Sequence, residues 1–388
     1  MILKSFYAIG KRELERILSA PVQLFCMIVA PIVSTLFFLS LMQGGLPTNL
    51  PTVVVDMDNT ATTRKLIRQV DAFQQVSVLG TTADFAEARK QVQQGKAYAI
   101  FYIPKDFTVM ATAGKRPKLS FYTNYSILIP GSLIYRDLRV TAALAGASVG
   151  LQRGLAEGKT ETQVMAALQP IVLDTHAIGN PWLNYSVYLN NTIIPGILQL
   201  MIFLVTTFSI GMEIKRGTSK EWLKLGNGSM LLSLVGKLFP HTVIFTIVGF
   251  LCSSILYGYN AFPLESGWLP MLSAMFLLII ASQAVGVFMI GVLPVLRLGL
   301  SFASLFGMLA FSIVGFSFPS TAMHPTLQAL AKMFPLRHYF LIYVDQGLNG
   351  RELIYTWSEY VWLLAFLFLP FLILRNLKSA LLSFYYIP

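Results

Sequence analysis

Charge is what this sequence has least of. Only 12% of its 388 residues are Asp, Glu, Lys or Arg, where a soluble domain carries about 25%. So few charges cannot cover a surface that mostly faces water. With 55% hydrophobic residues and a mean hydropathy of +0.64, the chain reads as a protein of the lipid bilayer. Acids are scarcer than bases, 18 against 29, which leaves a formal charge of +11. In a membrane protein that excess reads as Lys and Arg gathered on the cytoplasmic side, and no nucleic-acid partner is expected.

Cysteine is nearly absent. Cys26 and Cys252 both lie inside apolar runs and have no metal-ligand spacing. The four histidines, His176, His241, His324 and His338, are scattered, with no H-E-x-x-H pattern. A glycine-rich phosphate loop is missing too. The nearest string is Gly158-Lys159-Thr160, with Arg153 where the leading glycine belongs. Asp56, Asp58 and Asn59 begin like a calcium loop, but the pattern stops there, and such residues after a strand more often cap the next helix. No catalytic residue, metal site or cofactor is therefore expected, and the chain does not read as an enzyme.

What is present is apolar length. Lys4, Lys11, Arg12 and Arg16, with Phe6, Ile9, Leu14, Ile17 and Leu18, predict an amphipathic helix over residues 1–20, its cationic side toward anionic headgroups. Val22–Met42 then supplies ~20 uncharged residues, the length a hydrocarbon core of roughly 30 Å demands. That run is too long for the apolar part of a cleaved signal peptide. Five further spans are predicted at Thr192–Met212, Met230–Leu256, Trp268–Val292, Leu298–Phe318 and Trp357–Leu374. Residues 319–343 are interrupted by Pro325, Lys332, Pro335 and Arg337, and read as a re-entrant or interfacial helical pair.

Between the first two spans, over residues 44–188, charge becomes ordinary. Strand-like pieces at Thr52–Asp56, Val76–Leu79, Ala97–Ile103 and Lys118–Tyr122 alternate with helical ones at Arg64–Phe73 and Asp84–Gln94. A long helix over Ile127–Glu157, bent near Pro130–Gly131, and a short one over Thr160–Leu168 follow. Gly146, Gly150 and Gly154 in the long helix suit close packing on a neighbour. Pro170 and Gly179-Asn180-Pro181 mark the return toward the membrane. The fold class is membrane α-helical, with six transmembrane helices and an inserted α/β domain. Residues 21–43 form the first span and 189–388 the other five.

Short loops set the orientation. Lys215, Arg216, Lys220 and Lys224 fall between spans two and three, Lys237 near the start of span three, and Arg375 and Lys378 after span six. The connection Tyr257–Gly267 has no Lys or Arg. Both termini are thus expected in the cytoplasm and the insert outside, in a bacterial inner membrane. Lys237 is expected to snorkel to the interface and His241 to meet a neighbouring carbonyl, although ionisable groups at that depth are often functional. Gln199, Ser282 and Gln283 suit either a cavity lining or interhelical hydrogen bonds.

Two stretches carry a family resemblance. Glu213-Ile214-Lys215-Arg216-Gly217-Thr218, Trp222-Leu223 and Gly236-Lys237 with Pro240 resemble the cytoplasmic loop of ABC-2 type (type V) exporter permeases. Gly315-Phe316-Ser317-Phe318-Pro319 through Met323-His324-Pro325, Pro335-Leu336-Arg337-His338-Tyr339 and Gly347-Leu348-Asn349-Gly350 resemble that family's outer hairpin. The whole layout is similar to the subgroup with a large extracytoplasmic domain. Gly226-Asn227-Gly228 stands where the family usually has a proline, and His324 splits the usual Met-Pro pair.

The resemblance implies a permease that moves an amphiphilic drug, lipid or lipid-linked compound outward, with ATP bound by two copies of a separate ATPase. It further implies a second permease subunit, identical or similar, and in this subgroup a periplasmic adaptor and outer-membrane channel. Glu213, Arg216, Gly217, Thr218, Glu221 and Trp222, in the loop 213–229, are the residues it assigns to ATPase coupling. Phe316, Phe318, Pro319, Pro325, Pro335 and Tyr339 are its gate or hairpin residues. A mechanotransmission permease and a lipid-modifying membrane enzyme remain open as alternatives.

Overall fold

In the computed structural model, which describes residues 2–169, 171 and 174–383, the chain divides into two units. One is Met1–Gln43 with Ala177–Pro388, and the other is Gly44–His176. Pro170, read above as a boundary marker, lies outside the described residues.

In the first unit, six helices among the described residues are long and apolar enough to cross a membrane. They are Pro21–Leu41, Tyr185–Lys215, Met230–Tyr259, Trp268–Val292, Leu296–Ile313 and Leu353–Ser383, spans one to six below. A backbone in hydrocarbon must satisfy its own polar groups, so runs this apolar settle as helices. Spans two and four form the centre, with 67% and 72% of their apolar windows buried, against 22% for spans one and six. Between spans two and four, Gly286 permits close approach, since a Cβ there would sit 2.9 Å from Thr206.

Span five stops earlier than its hydropathy suggests. The helix ends at Ile313, and Gly315 then takes φ +115°, a turn that L side chains rarely adopt. Residues 319–343 hold two short helices, Pro325–Ala331 and Pro335–Ile342, each opened by a proline whose missing N–H costs nothing in a first turn.

The unit Gly44–His176 is built on a four-stranded sheet in the order β2-β1-β3-β4. The strands are β1 Leu50–Asp56, β2 Val76–Thr82, β3 Ala99–Ile103 and β4 Ser120–Thr123. β1 runs parallel to β2 and β3, and β4 is antiparallel to β3. Alternation along the strands sends Val54, Phe101 and Ile103 to one face, where they meet Leu66, Val70, Ile134 and Leu138. Val53, Val55 and Ile100 point to the other face and meet Ala88. Asp84 caps the helix Phe85–Gln93, accepting from Ala86 N–H at 2.8 Å.

Two local expectations are revised. The long helix runs unbroken from Leu128 to Ala156, because Pro130 falls in its first turn. Within it, Gly146-Ala147-Ser148-Val149-Gly150 has the Gly-x-Ser-x-Gly spacing of a nucleophile elbow, which the absence of catalytic motifs noted above overlooks. An elbow needs a sharp strand-to-helix turn to present its serine, whereas Ser148 sits mid-helix. Gly150 and Gly154 pack on Leu168 and Val164 of the helix Glu161–Leu168, while Gly146 faces open space. The acidic pair after β1 has local partners. Asp56 accepts from the N–H groups of Asp58 and Asn59, and Asp58 from Thr108 N–H at 3.1 Å.

Candidate functional site at the junction of the first helix with spans two and three

The helix Ile2–Leu18 carries Ile9, Glu13 and Ile17 on its buried stripe, at the four-residue spacing that aligns side chains on one face. A carboxylate in the middle of an apolar stripe needs a partner, since an unpaired buried charge is prohibitively costly. Span three supplies it. Gly10 and Gly236 let the two helices cross closely, a Cβ on Gly236 coming within 3.2 Å of Ile9. Glu13 is 2% exposed. Its Oε2 pairs with Lys237 Nζ at 2.5 Å, and its Oε1 with His241 Nε2 at 2.9 Å. Oε1 also accepts from Ser209 Oγ of span two at 2.8 Å.

A second buried carboxylate lies beside it. Glu213, in the last turn of span two, is fully buried. Its Oε1 accepts from Arg12 Nη1 at 2.8 Å and Lys237 Nζ at 2.9 Å. Arg12 Nη2 reaches Oε2 at 3.1 Å, and Arg16 and Thr218 also donate to this carboxylate. Two acids and the three cations Arg12, Arg16 and Lys237 thus close one network joining the first helix, span two and span three.

The loop between spans two and three hangs from this network. Gly217, at φ +69°, ends span two, and Thr218 N–H returns to Glu213 O at 3.0 Å. The short helix Ser219–Leu225 follows. Its Trp222 and Leu223 turn inward, with Trp222 Nε1 donating to Ser233 O at 3.2 Å and its ring 5.2 Å from Lys237 Nζ. Arg216, Gly217, Lys220, Glu221 and Lys224 remain exposed.

Several expected roles change accordingly. Lys237 is 1% exposed and ion-paired, so it does not snorkel, and His241 meets a carboxylate rather than a carbonyl. Arg12 and Arg16 face Glu213 instead of headgroups, while Lys4 and Lys11 are exposed. Of the coupling residues named above, Glu213, Thr218 and Trp222 belong to the inner network, which leaves Arg216, Gly217 and Glu221 for outside contacts. The sequence signal for Glu13 was its place between Ile9 and Ile17, and it was missed.

Three of the hairpin aromatics, Phe316, Phe334 and Phe340, share one apolar cluster, in which Phe316 is edge-on to Phe340 and Phe334 stacks on Phe306 of span five. Tyr339 and Pro335 are buried, while Phe318, Pro319 and Pro325 are exposed. Gln283 makes an interhelical bond, accepting from Thr242 Oγ1 at 2.8 Å.

Burial alone would raise the Glu13 carboxyl, but Lys237 and His241 outweigh it and hold the group well below its ordinary value of 4.5. A depressed folded-state value gives stability that is present above the ordinary carboxylate range and lost only as the pH falls through the depressed value. The stability gap between the native chain and Glu13→Gln is thus expected not to shrink between about pH 7.5 and 5. Thermal unfolding in detergent checks this, and a gap that closes toward the acid end contradicts the pairing.

Six apolar helices of membrane-crossing length among the described residues, with an ion-locked loop between the second and third, define a multi-pass membrane protein. The description "ABC-2 family transporter protein" matches residues 21–375, and the chain belongs to that family. The chain is also similar to the linearmycin resistance permease protein LnrN of Bacillus subtilis (strain 168), 29% identical over 119 residues. That stretch covers 31% of this chain and 30% of the relative's length.

Proposed function

We propose that this chain is the permease subunit of an exporter in which a separate ATPase, present in two copies, docks on the exposed side of the segment Gly217–Gly226. The observation that carries this reading is the network of Glu13, Glu213 and Lys237. It makes the docking segment, the first helix and spans two and three one mechanical body. Force applied at Arg216 or Glu221 then reaches the membrane through short ionic contacts rather than a slack loop.

The cargo we propose is amphiphilic and moves outward from a bacterial inner membrane, with both termini cytoplasmic and the unit Gly44–His176 outside. Supporting this is a predominantly apolar groove of about 730 Å³ between spans one, two and five, lined by residues such as Gln23, Phe208 and Ser304. Such a groove becomes a conduit when a second permease subunit, identical or similar, faces it. An adaptor and an outer-membrane channel complete the proposed assembly. The relative's name, a linearmycin resistance permease, is in keeping with export.

Docking is tested by stimulation of the ATPase co-purified with this chain. Glu221→Lys reverses an exposed charge, and Gly217→Val forces a β-branched residue into a left-handed conformation, a strain of about 1–2 kcal/mol. Each is expected to cut stimulation about tenfold, the effect of losing ~1.4 kcal/mol at the contact. Unchanged stimulation in both variants rejects this docking surface.

A further inference from the structure

The unit Gly44–His176 contains a cleft that the transport reading leaves unused. It has a volume of about 810 Å³, within the roughly 300–1,000 Å³ of small-molecule sites. Three separate elements enclose it: the helix Ala61–Asp71, the turn after the helix Phe107–Thr112, and the helix Leu128–Ala156. Its floor is apolar, made by Leu66, Phe107, Phe121 and Val149, an outward continuation of the core on that face of the sheet.

Its charged lining has one sign. Lys65, Lys115, Arg116 and Arg153 line the cleft, and no Asp or Glu does. Arg153 bonds Glu157 through Nε at 3.1 Å, while its Nη1 end lies over Gly114, where a Cβ would come within 2.2 Å. Gly114 sits at φ +73°, so the backbone turn favours glycine there. A merely solvated basic face would spread its charges along one helix. Here cations from different elements converge on a cavity with an apolar interior.

From this geometry we infer that the cleft binds an anionic amphiphile, an apolar body carrying a carboxylate or phosphate that the cations receive at the mouth. The pairing of greasy floor and charged rim fits such a molecule better than a free anion, which would gain nothing from Phe107 and Phe121. The inference goes beyond the export reading and stands without it, because it depends on this unit alone.

The test is photo-crosslinking of the full chain in phosphatidylcholine nanodiscs, with the labelled peptides mapped by mass spectrometry. The probes are diazirine-bearing palmitate, lysophosphatidate and the matched fatty alcohol. Palmitate, lysophosphatidate or both are expected to label residues 61–69, 107–121 and 142–153, the alcohol about tenfold less. Which of the two labels distinguishes a carboxylate from a phosphate ligand.

Gly146→Leu grows a side chain into open space on a helix that favours Leu over Gly, so it fills the cleft without unfolding the unit. That variant, and separately Lys115→Glu with Arg116→Glu, is expected to lose the cleft label about tenfold and keep any label in the spans. Labelling confined to the spans, equal labelling by acid and alcohol, or an undiminished signal in both variants overturns the inference. Because no ATPase or transport is involved, failure here is distinct from failure of the export reading.

Discussion

Replacing Glu213 with alanine is expected to lower the stability of the purified chain by about 3–5 kcal/mol, the cost of removing one partner from a buried ionic group. The expectation follows from what the carboxylate serves. Arg12, Arg16, Lys237 and Thr218 all donate to it, and its side chain is fully buried. With alanine there, Lys237 keeps Glu13, but the two guanidinium groups face a site with no anion. Water cannot easily repair this, since Arg12 and Arg16 are only 17% and 22% exposed. Glu213→Gln should fall between, because an amide keeps the shape and acceptor oxygen and loses the charge. Glu15→Ala, on the exposed side of the same helix, should change stability by under about 0.5 kcal/mol. Unfolding of detergent-solubilised protein reads all three. If Glu213→Ala matched Glu15→Ala, the network would be ornamental and the coupling mechanism would lose its basis.

The same network shows where the sequence was legible and where it was not. Spans were readable because hydrocarbon imposes a length and a polarity that few soluble helices satisfy. Trp268–Val292 has the predicted bounds, and Pro21–Leu41 differs from its predicted range by one residue at each end. Span two was read as Thr192–Met212 and runs from Tyr185 to Lys215, because its extra turns carry Asn190, Asn191 and Glu213, polar residues that tertiary partners or burial within the bundle accommodate. Strand positions were legible from β-branched runs, as at Val53–Val55, but the helix Phe107–Thr112 was not, being too short to show a period.

The ion network was invisible for a different reason. Arg12 and Glu213 are 201 positions apart, and no local spacing rule spans that distance. Lys237 looked like a snorkelling residue because its four-carbon stem permits that, and only the approach of two carboxylates reverses the preference. Trp222 looked like a docking contact because the family resemblance of its loop assigned it to ATPase coupling. Its inward turn depends on Ser233 and Lys237, which the fold alone brings near.

Trp222→Ala is therefore expected to abolish ATPase stimulation while leaving the six spans inserted and folded. A buried aromatic truncated to alanine costs about 3–5 kcal/mol, and here the loss falls on the seven-residue helix Ser219–Leu225. A helix that short does not hold itself in water, so tertiary anchoring must hold it. Leu223 is its other large buried side chain, and Ser219 contributes little apolar area. Without Trp222, Arg216 and Glu221 should still be present on the surface but on a segment free to move. A docked ATPase would then displace the loop and leave spans two and three unmoved. Trp222→Phe, which keeps the ring over Lys237 and loses the bond to Ser233, should retain most of the stimulation. The discriminating measurement pairs ATPase stimulation with thermal unfolding of the same sample. Lost stimulation with a near-native unfolding midpoint marks Trp222 as the pin of a lever. Normal stimulation in Trp222→Ala would show that the loop needs no pin, and that force enters the membrane elsewhere.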